Sequence, residues 1–164
     1  MPHKFRIIFV RDTNVRIKNR EDIIMVSLIL GKKGSGKTKL LIEKVNEAIE
    51  NSNGNVVCVE KQPKLTYDVN YRARLIDTDH YKVSGYDAFF GFLCGICAGD
   101  HDITDVLVDA TLRIGTRDYG ELCEFLKKVD ELSKNHVEEK SFIFTISADE
   151  AELPEEIFTF CKKI

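Results

Sequence analysis

The chain has 164 residues, of which 43% are apolar and 31% charged, with a net charge of −3. This length suits one domain with a sizeable core, and the composition excludes a disordered chain. The mild acidity does not indicate nucleic acid or a membrane surface as a partner, and no apolar run approaches the roughly 18 residues that span a bilayer. Five irregularly spaced cysteines and the absence of a long apolar leader predict reduced thiols and a cytoplasmic location.

Residues 1–22 are predicted to be separate from the domain that follows. The first 24 residues carry six Lys or Arg against three acids, and the composition changes near Met25. Two interpretations are open: an N-terminal extension, or an extra strand or hairpin built from KFRIIFV and the turn-like RDTN. The compact domain is predicted over residues 23–164.

From Ile23 onward, buried strands alternate with helices. Continuous apolar runs rich in β-branched residues are typical of strands buried on both faces of a parallel sheet. Such runs predict strands at 23–30, 55–60, 102–110 and 141–147, with a shorter strand at 74–79. This alternation predicts an α/β fold with a mostly parallel sheet and helices on both faces.

The predicted helices differ in how they are patterned. Apolar residues at helical spacing predict amphipathic helices at 38–50 and 118–135. The stretch 86–99 is apolar nearly all round, which is typical of a buried helix. Residues 154–164 open with a proline that suits the first turn of a helix.

The loop between the first strand and the first helix reads GKKGSGKT, residues 31–38. It matches the pattern G-x-x-x-x-G-K-[ST], in the strand–loop–helix setting that this motif requires. Glycines let the backbone fold around a phosphate, toward which the N–H groups and the helix N-terminus point. Lys37 would reach the β- and γ-phosphates, and Thr38 would offer its hydroxyl to Mg²⁺. The predicted nucleotide contacts are Gly31, Lys32, Lys33, Gly34, Ser35, Gly36, Lys37, Thr38 and Lys39.

On these residues the chain resembles the P-loop NTPase superfamily, over about residues 23–150. The resemblance implies bound ATP and Mg²⁺, with a second metal-side Asp at the end of an apolar strand, the Walker B position. Asp109 follows such a strand and matches that position, although an Asp here can also simply cap a turn. The guanine-reading N-K-x-D motif of GTPases is absent, which favours ATP.

The chain departs from the pattern of the superfamily directly after Asp109. Many ATPases of the additional-strand class carry Glu at the next position, where this chain has Ala110. By strand count, Glu60 matches the water-polarising Glu of RecA-like ATPases, so Lys37 and Glu60 are the predicted catalytic residues. Asp77 and Asp79 compete for the role of base, and a merely solvated Glu60 is the alternative.

Other polar residues follow the later strands. Thr145 or Ser147 resembles the polar residue that, in RecA- and AAA-type folds, contacts the γ-phosphate or the water. Two interpretations of Arg113 and Arg117 are open. They are solvated loop residues, or they neutralise the phosphate charge of a nucleotide bound to this chain or to a neighbouring subunit of an oligomer.

The C-x-x-C pair lies inside an apolar stretch, which favours buried core thiols over a redox or zinc site. The pair is Cys94 and Cys97, and the nearest further zinc ligands in sequence are His80 and His101.

Taken with the resemblance, these residues imply a three-layer, RecA-like P-loop domain that binds Mg·ATP. We expect slow ATP hydrolysis by in-line attack of water. A small-molecule, nucleoside-type kinase and a nucleotide-gated regulatory module without turnover are the alternatives. A protein partner or a homo-oligomer is compatible with each of these three functions.

Overall fold

The computed structural model describes residues 24–134 and 139–164. The predicted segment 1–22 lies outside the described residues, as does Ile23, the predicted start of the first strand. Within the described ranges, no helix is long and apolar enough to cross a membrane.

Six strands form a single sheet in which every neighbouring pair is parallel. The strands are β1 (Val26–Leu30), β2 (Asn55–Glu60), β3 (Arg74–Asp77), β4 (Ile103–Val108), β5 (Ser141–Ile146) and β6 (Cys161–Lys163). Their spatial order is β3-β2-β4-β5-β1-β6. The strand order therefore places β5 between β1 and β4, and all strands end at one edge of the sheet.

The helices connect these strands across both faces of the sheet. They are α1 (Lys37–Asn51), α2 (Tyr86–Gly99), the single turn α3 (Thr111–Ile114) and α4 (Tyr119–Lys134), with 3₁₀ segments at Glu150–Glu152 and Glu155–Thr159. Alternate residues of each strand point to opposite faces. In β2, Val57 and Val59 pack in the core that α2 and α4 share, whereas Val56 and Cys58 pack in the core beneath α1. The predicted α/β fold with helices on both faces is confirmed.

Two predicted elements differ from the structure. The stretch 154–164 was expected to open a helix, but it forms a short 3₁₀ segment and then β6, which pairs with β1. Pairing with β6 satisfies backbone groups on β1 that would otherwise form an open sheet edge.

The apolar stretch 86–99, predicted to be a buried helix or a loop–helix element, forms helix α2, which is fully buried on one face only. Its buried residues are Tyr86, Phe89, Leu93 and Cys97, which share one face. Glycines and small residues, among them Gly91 and Gly95, lie on its exposed side. Its other large apolar residues, Phe90, Phe92 and Ile96, are partly buried against the same core.

Candidate functional site

The loop 31–36 lies at the carboxyl edge of the sheet, between β1 and α1. Gly34 and Gly36 have φ angles of 82° and 89°, in the left-handed region that residues with a Cβ seldom adopt. The Gly31 N–H donates to the carbonyl of Ala148 at 3.1 Å, and the Ser35 N–H donates to the carbonyl of Lys32 at 3.1 Å. Glycine at 34 and 36 therefore permits the tight path that the motif predicts.

The N-terminus of α1 carries charges of the sign that its dipole disfavours. Gly36 is the N-cap and offers no side-chain hydrogen bond, and the first turn contains no acid. Lys37 and Lys39 lie in that turn, and Lys32 and Lys33 lie on the loop before it. Anions stabilise a helix N-terminus and cations do not. A bound anion would offset both unfavourable features.

Lys37 folds back over the loop. Its Nζ donates to the carbonyl of Lys32 at 2.8 Å. Partial burial lowers the pKa of Lys37, and the carboxylate of Asp109 opposes that shift. Lys32 itself makes an ion pair with Asp149 at 3.3 Å, a contact that the sequence did not predict.

Thr38 and Asp109 meet although they are 71 residues apart in the chain. Thr38 Oγ1 lies 3.3 Å from both Oδ1 and Oδ2 of Asp109. The two come together because α1 starts beyond the end of β1 and Asp109 directly follows β4 at the same edge of the sheet. The predicted pair of metal-side residues is thus in direct contact.

Thr145 supports the Asp109 carboxylate from the neighbouring strand. Its hydroxyl donates to Asp109 Oδ1 at 2.7 Å and accepts the Ala110 N–H at 2.9 Å. The side chain is buried, with 2% of its surface exposed. Of the two predicted sensor candidates, Thr145 is therefore engaged with Asp109, whereas Ser147 is exposed beyond the end of β5.

Ala110 occupies a conformation that is unusual for a residue with a Cβ. Its φ and ψ are 55° and 45°, the left-handed region, which costs about 1–2 kcal/mol for such a residue. The hydrogen bond from its N–H to Thr145 helps to hold this geometry. The position supplies no carboxylate.

Glu60 ends β2 as a buried carboxyl, 3% exposed. Its Oε2 accepts the backbone N–H groups of Lys64 and Leu65, both at 3.0 Å. Its Oε1 is buried without a hydrogen-bond partner among the described residues. Burial raises the pKa of Glu60, the two N–H bonds oppose this, and the carboxylates of Asp77 and Asp109 raise it further. Glu60 is not the solvated acid of the alternative interpretation.

The two acids that compete for the role of base, Asp77 and Asp79, have hydrogen-bond or ion-pair partners of their own. Asp77 lies beside Glu60 in the parallel register of β2 and β3, and its Oδ1 accepts the Asp79 N–H at 2.9 Å. Asp79 makes an ion pair with Lys61 at 2.9 Å, and the hydrogen bond from Lys61 lowers the pKa of Asp79. Among the residues that the structure describes, Glu60 is the one of these three acids with a buried carboxylate oxygen that has no hydrogen-bond partner.

Within the described ranges, the side-chain hydrogen bonds of Thr38 and Asp109 link them to each other and to Thr145, and to none of the remaining predicted residues. Arg113 and Arg117 are exposed on the segment around α3. Both cysteines of the C-x-x-C pair lie on α2, where Cys97 is buried but Cys94 is only half-buried. Burial raises the pKa of both thiols.

The oxygen donors of Thr38 and Asp109 fit Mg²⁺ better than a softer metal. Mg²⁺ prefers oxygen ligands and is held through one or two carboxylates together with substrate phosphates. Across residues 24–134 and 139–164, no group of three or more His, Cys, Asp or Glu side chains could hold a metal ion. One hydroxyl and one carboxylate are the expected protein share of such a magnesium site.

Comparison with known proteins assigns the chain to no group: no family model matches it, and no curated protein matches it.

Proposed function

We propose that this chain binds ATP together with Mg²⁺ and hydrolyses it slowly. The observation that carries the proposal is the contact between Thr38 Oγ1 and both carboxylate oxygens of Asp109, at 3.3 Å, beside a glycine loop at a helix N-terminus. The strand order supports the RecA-like, additional-strand interpretation, because β5 lies between the strand that precedes the loop and the strand that precedes Asp109.

In this proposal the loop N–H groups and Lys37 bind the phosphates, and Thr38 and Asp109 hold the metal. Bound Mg²⁺ would neutralise charge that develops on the phosphate oxygens. Water attacks the γ-phosphorus, the bond to the β–γ bridging oxygen breaks, and ADP leaves. Lys37 stabilises the charge on the transferred group.

Glu60 is the proposed general base. Its unpartnered Oε1 can accept the proton of the attacking water, while Oε2 stays bound to the N–H groups of Lys64 and Leu65. A raised pKa brings a carboxyl closer to the pH at which a general base works best. The same two hydrogen bonds hold the side chain in place.

A regulatory module that binds ATP without turnover is the second candidate. Two observations favour it: Ala110 replaces a carboxylate, and one oxygen of Glu60 is committed to backbone N–H groups. A small-molecule kinase is distinguished from both by phosphate transfer that requires an added acceptor.

Calorimetric titration with ATP, once in a buffer that contains Mg²⁺ and once in a buffer that contains EDTA, tests binding. Release of γ-phosphate in a single turnover tests hydrolysis. We expect Mg²⁺-dependent binding, and release that Glu60→Gln slows by about 10²-fold or more. Glu43→Gln, which changes an exposed acid on α1, is the matched control. Binding without release above the no-enzyme rate would favour the regulatory module. Absence of ATP binding would exclude the proposal.

A further inference from the structure

The crossover between β2 and β3, residues 61–73, presents two tyrosines to solvent. Tyr67 and Tyr71 are 98% and 93% exposed. Burial of a tyrosine ring is normally favourable, and here two rings only four residues apart in the chain are both left open, which is consistent with a contact surface.

The exposure of these rings follows from how the crossover packs. Leu65, Val69 and Ala73 recur every four residues and are buried in the core beneath α1. The N–H of Val69 donates to the carbonyl of Leu65 at 3.0 Å, which makes a local turn. Tyr67 and Tyr71 fall midway between the buried positions, so the backbone that buries those three residues directs both rings outward.

The same crossover is basic, although the chain as a whole is acidic. Residues 61–73 contain three cations and a single acid, and Arg74, the first residue of β3, adds a fourth cation, against a net charge of −3 for the chain. Lys64, Arg72 and Arg74 are exposed. Among the ion pairs found in the described part of the chain, none involves these three. The whole-chain charge therefore hides a local cationic strip.

Arg72 and Arg74 continue the strip to the edge strand of the sheet. There they line a cleft of about 590 Å³ whose wall includes Ile76 and two glycines of α2, Gly95 and Gly99. A Cβ placed on either glycine would meet nothing within 4 Å. The cationic strip thus reaches a cleft that is lined by two cations, Arg72 and Arg74, and by one acid, Asp100.

We infer that Lys64, Tyr67, Tyr71, Arg72 and Arg74 form a docking surface for single-stranded nucleic acid. Unpaired bases stack on exposed aromatic rings while cations bind the phosphates, a combination that neither a duplex nor a base-free polyanion uses in full. The two exposed rings lie between Lys64 and Arg72 in the chain, so the segment offers rings for the bases and cations for the phosphates. The surface touches the proposed ATP site through the Lys64 N–H, which donates to Glu60 at 3.0 Å, but its side chains are not those proposed to bind ATP, so this inference does not depend on ATP binding.

Fluorescence anisotropy of the full chain with fluorescein-labelled oligothymidylate and oligouridylate of about 16 nucleotides tests the inference. We expect binding that weakens steeply with salt. The double variant Tyr67→Ala/Tyr71→Ala should lose roughly tenfold or more in affinity, and Tyr67→Phe/Tyr71→Phe should bind like the wild type, because phenylalanine keeps the stacking ring. Comparison of the two oligonucleotides separates DNA from RNA.

Arg72→Ala/Arg74→Ala should reduce the slope of log affinity against log salt by about 1.4, since each phosphate contact on a single strand contributes about 0.7. Tyr81→Ala is the matched control, because Tyr81 is 54% exposed but lies outside the crossover. Circular dichroism checks that each variant is folded.

Three outcomes would overturn the inference. The first is that neither oligonucleotide binds at low salt. The second is that the alanine pair at 67 and 71 keeps full affinity. The third is that heparin, a polyanion without bases, binds as tightly as the oligonucleotides, and that Tyr67→Ala/Tyr71→Ala changes neither the heparin affinity nor the oligonucleotide affinity. The last result would leave only a general affinity for polyanions.

Discussion

Thr145 on β5 donates its hydroxyl proton to Asp109, the residue after β4, at 2.7 Å. The same hydroxyl accepts the N–H of Ala110 at 2.9 Å. One buried side chain thus orients the carboxylate that faces Thr38 and also holds a left-handed residue in place. Thr145 is a positioning residue in this arrangement.

Thr145→Val should therefore affect both stability and the metal requirement. Valine keeps the shape but leaves the partly buried Ala110 N–H without its partner, which costs about 1 kcal/mol of unfolding free energy. The freed Asp109 carboxylate should raise the Mg²⁺ concentration that half-saturates ATP binding. Urea unfolding and Mg²⁺ titrations at fixed ATP measure the two effects.

Thr145→Ser is the control for that change, because it keeps the hydroxyl. We expect it to restore the Mg²⁺ midpoint. A valine variant with reduced stability but an unchanged Mg²⁺ midpoint would show that Thr145 serves only the fold.

Asp109→Asn should weaken ATP affinity in Mg²⁺ much more than ATP affinity in EDTA. Asparagine keeps the size of the side chain and its carbonyl oxygen but loses the charge that favours a hard cation. Calorimetry in the two buffers measures the ratio. Asp105→Asn, on the same strand, serves as control. Equal losses in both buffers would assign Asp109 a structural role.

Lys37→Ala should abolish detectable ATP binding while the fold is retained. The lysine lies at the start of α1, and its Nζ bonds a loop carbonyl at 2.8 Å and no other group in the described part of the chain, so its removal costs the core little. A lysine–phosphate contact is a charge-assisted bond, stronger than a neutral one. Lys44→Ala, further along α1 and paired with Glu47, is the control. Unchanged ATP affinity in a folded Lys37→Ala protein would contradict the phosphate-loop interpretation.

The raised pKa of Glu60 predicts a pH-dependent stability. As the pH rises above the ordinary value of 4.5, the unfolded carboxyl ionises while the buried one keeps its proton. The wild type therefore loses stability from pH 4.5 upward until the raised pKa is passed, by about 1.4 kcal/mol for each unit of the rise. Glutamine does not titrate.

Urea unfolding of wild type and Glu60→Gln, between pH 4.5 and pH 8, measures this effect. The free energy of unfolding of Glu60→Gln minus that of the wild type should increase as the pH rises. Glu43→Gln on the exposed side of α1 controls for the loss of an acid. A difference that moved the other way would show that the N–H groups of Lys64 and Leu65 outweigh burial and lower the pKa.

The sequence alone determined the types of the elements before residue 154 that it predicted, and the place of the loop. The strand 55–60 and the helix 86–99 have the bounds predicted for them, because hydrophobic periodicity is a local property of the chain. The glycines at 34 and 36 were recognisable for the same reason, since the left-handed backbone they adopt needs no distant partner. The order of strands in space carries no such local signal.

Only the tertiary structure decided which side chains meet at the carboxyl edge. Thr38 contacts Asp109 and Thr145 supports it because β5 lies between β1 and β4, an arrangement set by packing on both faces of the sheet. The same applies to the ion pair of Lys32 with Asp149, and to β6, which a helix-compatible proline concealed. Residues far apart in the chain become neighbours through burial of the whole core, and no short pattern records that.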